Sequence, residues 1–223
     1  EIIPPILGGG SASSEMADVD NHIRECLDEV GTEYVTIIGL QGGYLSPSES
    51  TYRLYNDTTV SYLCWDQVDV PMCTNRMLTI KHMEEELKDA IDEGLKTCIN
   101  VNDYSSDAIV ADDWDLTVEI NRADVELSLY YPVSIDKGDD VASEDSFVES
   151  LNVPLGELYD VSQDIVNDHA VYGDFEQLIY MLTKLRMYNI YKLKPYPDVL
   201  YKIKLREGNY IFQFAIQGED NTG

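Results

Sequence analysis

The chain lacks the signatures of several protein classes. No uninterrupted apolar stretch reaches the roughly 18 residues that a membrane-spanning helix needs, so we expect no direct bilayer span. A nucleophile elbow, a phosphate-binding glycine loop and a metal-binding box are missing as well, and we therefore predict a protein that is not an enzyme. A secretory leader is also absent, which we interpret as processing of a secreted chain or as trimming.

Basic residues are scarce. The 223 residues contain 15 lysines and arginines against 42 aspartates and glutamates, which gives a formal charge of −27. A surface this acidic repels nucleic acids and anionic lipids, so neither is an expected partner. The hydrophobic fraction of 44% is that of a globular protein, which argues against disorder as the cause of the acidity. High external salt, bound divalent cations and solubility during self-assembly stay open as explanations.

Apolar periodicity predicts an α+β fold. Spacings of three and four residues predict helices from Met16 to Val30 and from Ile80 to Cys98; Gly31 is a candidate break, after which 34–40 fits either a helix or a strand. Two further helices are predicted at 155–166 and 175–185, and strands at 51–55, 59–65, 116–120, 125–135, 147–153, 199–205 and 210–217. We expect one domain at 16–217, an antiparallel sheet packed with about four helices, between an N-terminal arm at 1–15 and a flexible tail at 218–223.

Four cysteines, an even number, indicate disulfides and hence an oxidising, extracellular setting. Cys26 and Cys98 each lie on the apolar stripe of a predicted helix, so both sulfur atoms would face a shared core. Cys64 and Cys73 bracket a short segment. We therefore predict the pairs Cys26–Cys98 and Cys64–Cys73, although the spacing alone allows three pairings. The alternatives are buried free thiols and a zinc site that includes His22 and Cys26, which the lack of a Cys-x-x-Cys motif disfavours.

The N-terminal segment combines apolar side chains with two adjacent prolines that forbid a helix. Ile2, Ile3, Ile6 and Leu7 precede a stretch rich in glycine and serine. This pattern fits a tether that remains after an anchor is removed, and it also fits a donor strand that completes a neighbouring subunit's sheet. Because proline cannot donate a ladder hydrogen bond, such a strand would be interrupted or would lie on an edge. We predict that this arm connects subunits.

Two local motifs suggest modification or binding. Asn56 begins an N-glycosylation sequon at the turn of a predicted hairpin. Asp112, Asp113 and Asp115 form an acidic cluster whose hard oxygen atoms suit calcium, although the EF-hand pattern is absent. Paired carboxylates also serve glycoside hydrolases, but clusters arise by chance among 42 acidic residues, so we predict no catalytic residues. Calcium is the only cofactor that the sequence suggests.

Six short stretches carry a resemblance to a known group of proteins. They are Glu25–Leu27, Ile38–Tyr44, Met83–Leu87, Lys96–Ile99, Lys137–Asp139 and Asn209–Ala215. Together they resemble a family of uncharacterised surface proteins of small-genome (DPANN-type) archaea, secreted or membrane-anchored, over most of the chain. The resemblance implies a cell-surface location and a family cysteine pair at Cys26 and Cys98, with Cys64 and Cys73 as additions. Family members usually open with an apolar helix like that of pilin-type signals, which is absent from this sequence.

These patterns together predict an extracellular structural subunit of an archaeal surface filament or coat. The expected partner is another copy of the chain, reached through the N-terminal arm. The alternative is a membrane-anchored binding or adhesion domain that has been shed or trimmed from its anchor.

Overall fold

The computed structural model describes residues 11–66 and 72–218, and it confirms the α+β fold class. Within these residues the helices are α1 (Ala12–Leu40), α2 (Ile80–Cys98), α3 (Leu155–Tyr172) and α4 (Gln177–Thr183). The strands are β1 (Tyr52–Tyr55), β2 (Thr58–Trp65), β3 (Thr74–Asn75), β4 (Ala108–Val110), β5 (Asp115–Ile120), β6 (Val125–Asp136), β7 (Val141–Leu151), β8 (Tyr188–Leu193), β9 (Val199–Leu205) and β10 (Phe212–Ile216).

The described strands form two sheets. The first has the order β1-β2-β10-β9-β8, with β3 beside β2. In the second, β6 is central, with β7 along one edge and with β5 and β4 sharing the other. Described neighbours are antiparallel except β2 and β10, which run parallel. The sequence predicted antiparallel pairs because consecutive hairpins dominate its pattern, whereas β2 and β10 come from distant parts of the chain.

Helix α1 is continuous for 29 residues, so the candidate break at Gly31 does not occur. Its start is capped by Ser11, whose side chain accepts a hydrogen bond from the Ser14 backbone N–H. Gly31 is buried where α1 crosses the second sheet, and a Cβ atom there would lie 2.5 Å from Cδ1 of Leu127 and 3.0 Å from Cδ1 of Leu151. The glycine therefore permits close packing of the helix on the sheet and does not end the helix.

The predicted elements match the structure best where the local pattern is regular. Helix α2 has the predicted bounds, and the β1–β2 hairpin turns through Asn56 and Asp57, both in the left-handed conformation (φ 49° and 60°). Strand β7 begins six residues before the predicted 147–153, because its first half is exposed and carries no apolar alternation. Strand β8 and the short strands β3 and β4 were not predicted. Helix α4 is shorter than the predicted 175–185.

One cluster of buried apolar residues joins these layers. It draws on α1, α2 and α3 and on both sheets, and α4 contributes no fully buried residue to it. Helix α1 packs against β6 and β7 of the second sheet as far as Gly31, and its last turn reaches the first sheet, where Gln213 Nε2 donates a hydrogen bond to the Leu40 carbonyl oxygen (3.2 Å). Helix α1 is therefore the element that links the two sheets.

Candidate interaction surfaces

Both predicted disulfides are present. Cys26 of α1 bonds to Cys98 at the end of α2, with the Cα atoms 5.8 Å apart, and Cys64 of β2 bonds to Cys73. The first bond joins the two helices through their apolar faces, as the periodicity predicted. Two disulfides fit an oxidising compartment better than a reducing cytosol.

The other predicted site residues are dispersed. Asn56 is exposed at the tip of the β1–β2 hairpin, where a glycan would stand in solvent. Asp112 and Asp113 are exposed on the turn before β5, and Asp115 forms an ion pair with Lys88 (3.1 Å). Among residues 11–66 and 72–218, no three acidic, histidine or cysteine side chains converge to hold a metal ion, so calcium gains no support. The arm residues Ile2, Ile3, Ile6 and Leu7 lie outside the described residues.

Two buried polar groups are held by partners inside the fold. The carboxylate of Asp198 accepts hydrogen bonds from Arg53 Nη1 (2.5 Å), the Tyr62 hydroxyl (2.8 Å) and the Gly218 N–H (3.0 Å). The ring Nε2 of His169 lies 2.8 Å from the Tyr201 hydroxyl oxygen. Burial, with a smaller contribution from the nearby Lys192 cation, lowers the pKa of His169 to about 4. These partners indicate structural roles for both groups.

Helix α4 exposes its apolar side chains. Leu178, Ile179 and Leu182 are 64%, 61% and 58% exposed, and Leu185 in the following turn is 85% exposed. Leu178 and Leu182 are four residues apart on one face of α4, and Leu185 projects from the turn that follows. Most helices bury such a stripe in the core. Here the stripe faces solvent.

The turn after α4 holds Leu185 outward with an unusual backbone. Leu185 and Arg186 both adopt the left-handed conformation, with φ of 53° and 60°. That conformation is uncommon for residues other than glycine, asparagine and aspartate, and it costs about 1–3 kcal/mol per residue. A hydrogen bond from the Arg186 N–H to the Met181 carbonyl oxygen (2.8 Å) closes the turn. We call α4 together with the turn 184–187 the cationic corner.

Basic residues are concentrated in the stretch of chain that begins at this corner, and acidic side chains also approach α4: the Tyr180 hydroxyl donates a hydrogen bond to Asp164 (2.7 Å), and Lys192 pairs with Asp174. Residues 184–206 contain seven of the chain's 15 basic residues and a single acid, Asp198, for a net charge of +6 in a chain of −27. Lys184 and Arg186 are exposed, and neither makes an ion pair with any described residue. A groove of about 420 Å³ runs between α4 and strands β8 and β9, and Arg186 and Arg206 both line it.

A second groove, of about 590 Å³, lies where β4, β6 and β7 meet. Its lining combines the apolar Ile109, Val110 and Pro132 with the acidic Glu144 and Asp145. Ile109 is 65% exposed. The register between β6 and β7 shifts beside this groove, between Tyr130 and Val133. The flanking segments 103–115 and 139–149 contain ten acidic residues and no basic residue. We call this surface the acidic groove.

The two surfaces lie toward opposite ends of strand β6. The acidic groove uses Val133 and Ser134 near the end of β6. Just before β6, Nη2 of Arg122 lies 3.6 Å from Oε1 of Glu157. The same oxygen accepts a hydrogen bond from the hydroxyl of Tyr188, which lines the groove of the cationic corner. Val125 and Ser134 are nine strand positions apart, or roughly 30 Å. One chain therefore carries two apolar surfaces of opposite charge, well separated.

Reasoning from the sequence missed both surfaces. The signal for the cationic corner was present, because nearly half of the basic residues fall within 23 positions. The acidic groove has no comparable signal, since it depends on how β4, β6 and β7 pair.

Comparison with known proteins gives no relative. No protein family matches the chain, and searches among curated proteins and among solved structures find no match either. Within the described part of the chain, no helix is both long and apolar enough to cross a bilayer.

Proposed function

We propose that this protein is a structural subunit of an extracellular assembly, a surface filament or coat, that forms by contact between copies of the chain. The observation that carries the proposal is the cationic corner, which keeps Leu178, Leu182 and Leu185 in solvent beside the exposed Lys184 and Arg186. The two disulfides support a location outside the reducing cytosol. The archaeal cell surface is the location that the sequence resemblance favours.

Energetic considerations support an interface at the corner. Burying a leucine side chain contributes about 1.5–3 kcal/mol, and clusters of exposed apolar side chains on soluble proteins mark interaction sites. The left-handed backbone of the turn raises the free energy of the free subunit. Burial of Leu185 does not offset this increase, because the side chain is 85% exposed. Both observations are explained if another molecule covers the corner.

The N-terminal arm remains part of this proposal as a second contact. Its attachment point is well defined, because the Ala12 backbone N–H donates a hydrogen bond to Asp140 Oδ2 (2.7 Å). Asp140 lies in the turn between β6 and β7, at the end of the second sheet that carries the acidic groove. An arm that leaves from Ser11 would therefore start close to that groove.

Negative-stain electron microscopy and sedimentation velocity test the proposal. We expect filaments or sheets, and a sedimentation coefficient that rises with protein concentration. The triple variant Leu178→Ser, Leu182→Ser, Leu185→Ser should remain folded and sediment as a monomer. Deletion of residues 1–10 separately measures the contribution of the arm. A wild-type protein that stays monomeric at every concentration would favour the anchored binding domain instead, with one of the two grooves as its ligand site.

A further inference from the structure

We propose that the cationic corner of one copy binds the acidic groove of a second copy, so that subunits join head to tail. This inference rests on the proposed function and names the two surfaces that would meet. It goes beyond that function because self-assembly alone does not require these surfaces to be the partners.

One side chain of the corner has a shape that suits the acidic groove. The turn after α4 projects Leu185 into solvent, while Leu178 and Leu182 line the corner's own groove. The acidic groove is concave, and its 590 Å³ falls within the roughly 300–1,000 Å³ of ordinary ligand sites. Ile109 and Val110 line the acidic groove, and Leu185 would lose contact with water if it packed on them.

The charges match as well. Lys184 and Arg186 flank Leu185, and Glu144 and Asp145 line the groove. These four side chains are exposed, and none of them forms an ion pair within 4 Å of another described residue. The corner would therefore gain opposite charges from a partner without breaking an ion pair of the described residues; the Lys184 ammonium lies 5.2 Å from the centre of the Tyr180 ring. Complementary charge of this kind fixes the register of an interface and steers the encounter.

The positions of the two surfaces determine the kind of assembly. A contact between two different patches is heterologous, and it produces an open chain unless the rotation between subunits closes a ring. Because the corner and the groove lie toward opposite ends of β6, one subunit can hold a neighbour at each end.

An anionic membrane is the competing partner for an apolar and cationic surface. The overall charge of −27 disfavours it, because the remainder of the protein would be repelled by the same lipids. A second copy of the chain has the opposite property, since its surface away from the corner is strongly acidic. We therefore take the second copy as the occupant.

Charge exchange between the two surfaces tests the inference. The corner variant is Lys184→Glu, Arg186→Glu, and the groove variant is Glu144→Lys, Asp145→Lys. Each variant alone should associate roughly a hundredfold more weakly than the wild type, because like charges would face each other across the junction. An equimolar mixture should recover assembly in alternating order, since each mixed junction again pairs opposite charges. Sedimentation velocity measures both results, and circular dichroism confirms that each variant is folded.

A matched control carries the same kind of charge change at a distant site. Lys81→Glu reverses the charge of an exposed lysine of α2 that lines neither groove, and it should associate like the wild type. Should a charge variant fail to fold, Leu185→Ala tests the same surface, with weaker association expected.

Assembly that persists in the corner and groove variants would overturn the inference and leave the proposed function standing. A monomeric wild type would overturn both. Binding of the wild type to phosphatidylglycerol vesicles without self-association would assign the corner to membranes and overturn the inference.

Discussion

Helices α1 and α4 differ in how their apolar residues are used. Helix α1 buries ten residues, is tied to α2 by a disulfide, and packs so closely on the second sheet that Gly31 has no room for a side chain. Helix α4 buries none, and the turn that follows it holds a leucine in solvent. Stability of the subunit therefore depends on α1 and the core around it, while α4 exposes the apolar surface that we propose for contact between copies of the chain. Changes in the two regions should have opposite consequences.

The largest effect is expected from removing the disulfide of α1. Cys26→Ser, Cys98→Ser releases a loop with a sequence separation of 72 residues, which should lower the free energy of unfolding by about 4 kcal/mol. Denaturant unfolding monitored by circular dichroism measures the loss. The comparison variant Cys64→Ser, Cys73→Ser opens a separation of nine residues and should lose about 2–3 kcal/mol. Equal stability of the first variant and the wild type would show that α1 does not depend on this bond.

Acid should weaken the core through His169. Its pKa is about 4 in the folded protein and 6.5 when exposed, so the unfolded chain binds the proton more readily between these values. Stability from this residue is therefore complete above pH 6.5 and is lost as the pH falls, by roughly 3 kcal/mol at pH 4. Unfolding experiments at pH 7 and pH 4 should show a smaller loss in His169→Gln than in the wild type. Identical losses would mean that carboxylates alone explain the acid sensitivity.

Crowding at Gly31 should produce a smaller loss. Gly31→Ala places a methyl group against Leu127 and Leu151, and overpacking of this kind costs about 1–3 kcal/mol. Alanine has the higher helix propensity, by about 1 kcal/mol, so any net loss measured by denaturant unfolding comes from the contact with the sheet. Glu33→Ala, at an exposed position of the same helix, serves as the control and should leave stability nearly unchanged. A stabilised Gly31→Ala variant would contradict the close packing.

The smallest effect on stability is expected in α4. Leu185→Ala removes a side chain that is 85% exposed, so the free energy of unfolding should change by no more than about 0.5 kcal/mol. The same change should weaken association measured by sedimentation, because Leu185 lies at the centre of the cationic corner. A loss of stability comparable to that of Gly31→Ala would instead make α4 part of the folded core.

Elements with a regular local spacing of apolar residues were predicted correctly. The periodicity of 80–98 gave helix α2 with its observed bounds, and the same stripes placed Cys26 and Cys98 face to face. Division into two sheets was not predicted, because it depends on the parallel pairing of β2 with β10 from distant parts of the chain. Strand β8 was missed because its lysine and tyrosine residues do not show a clear apolar alternation. The acidic groove could not be predicted from the sequence, because it depends on how β4, β6 and β7 pair.

Hydrogen exchange of the protein, compared between dilute and assembling concentrations, tests the central claim most directly. The account predicts that amides at 177–189 of α4 and its turn, and at 108–111 and 141–148 of the acidic groove, become protected together on assembly. Amides of α1 should exchange slowly in both states, because their protection comes from the fold of the subunit. Assembly without added protection at either surface would contradict the account.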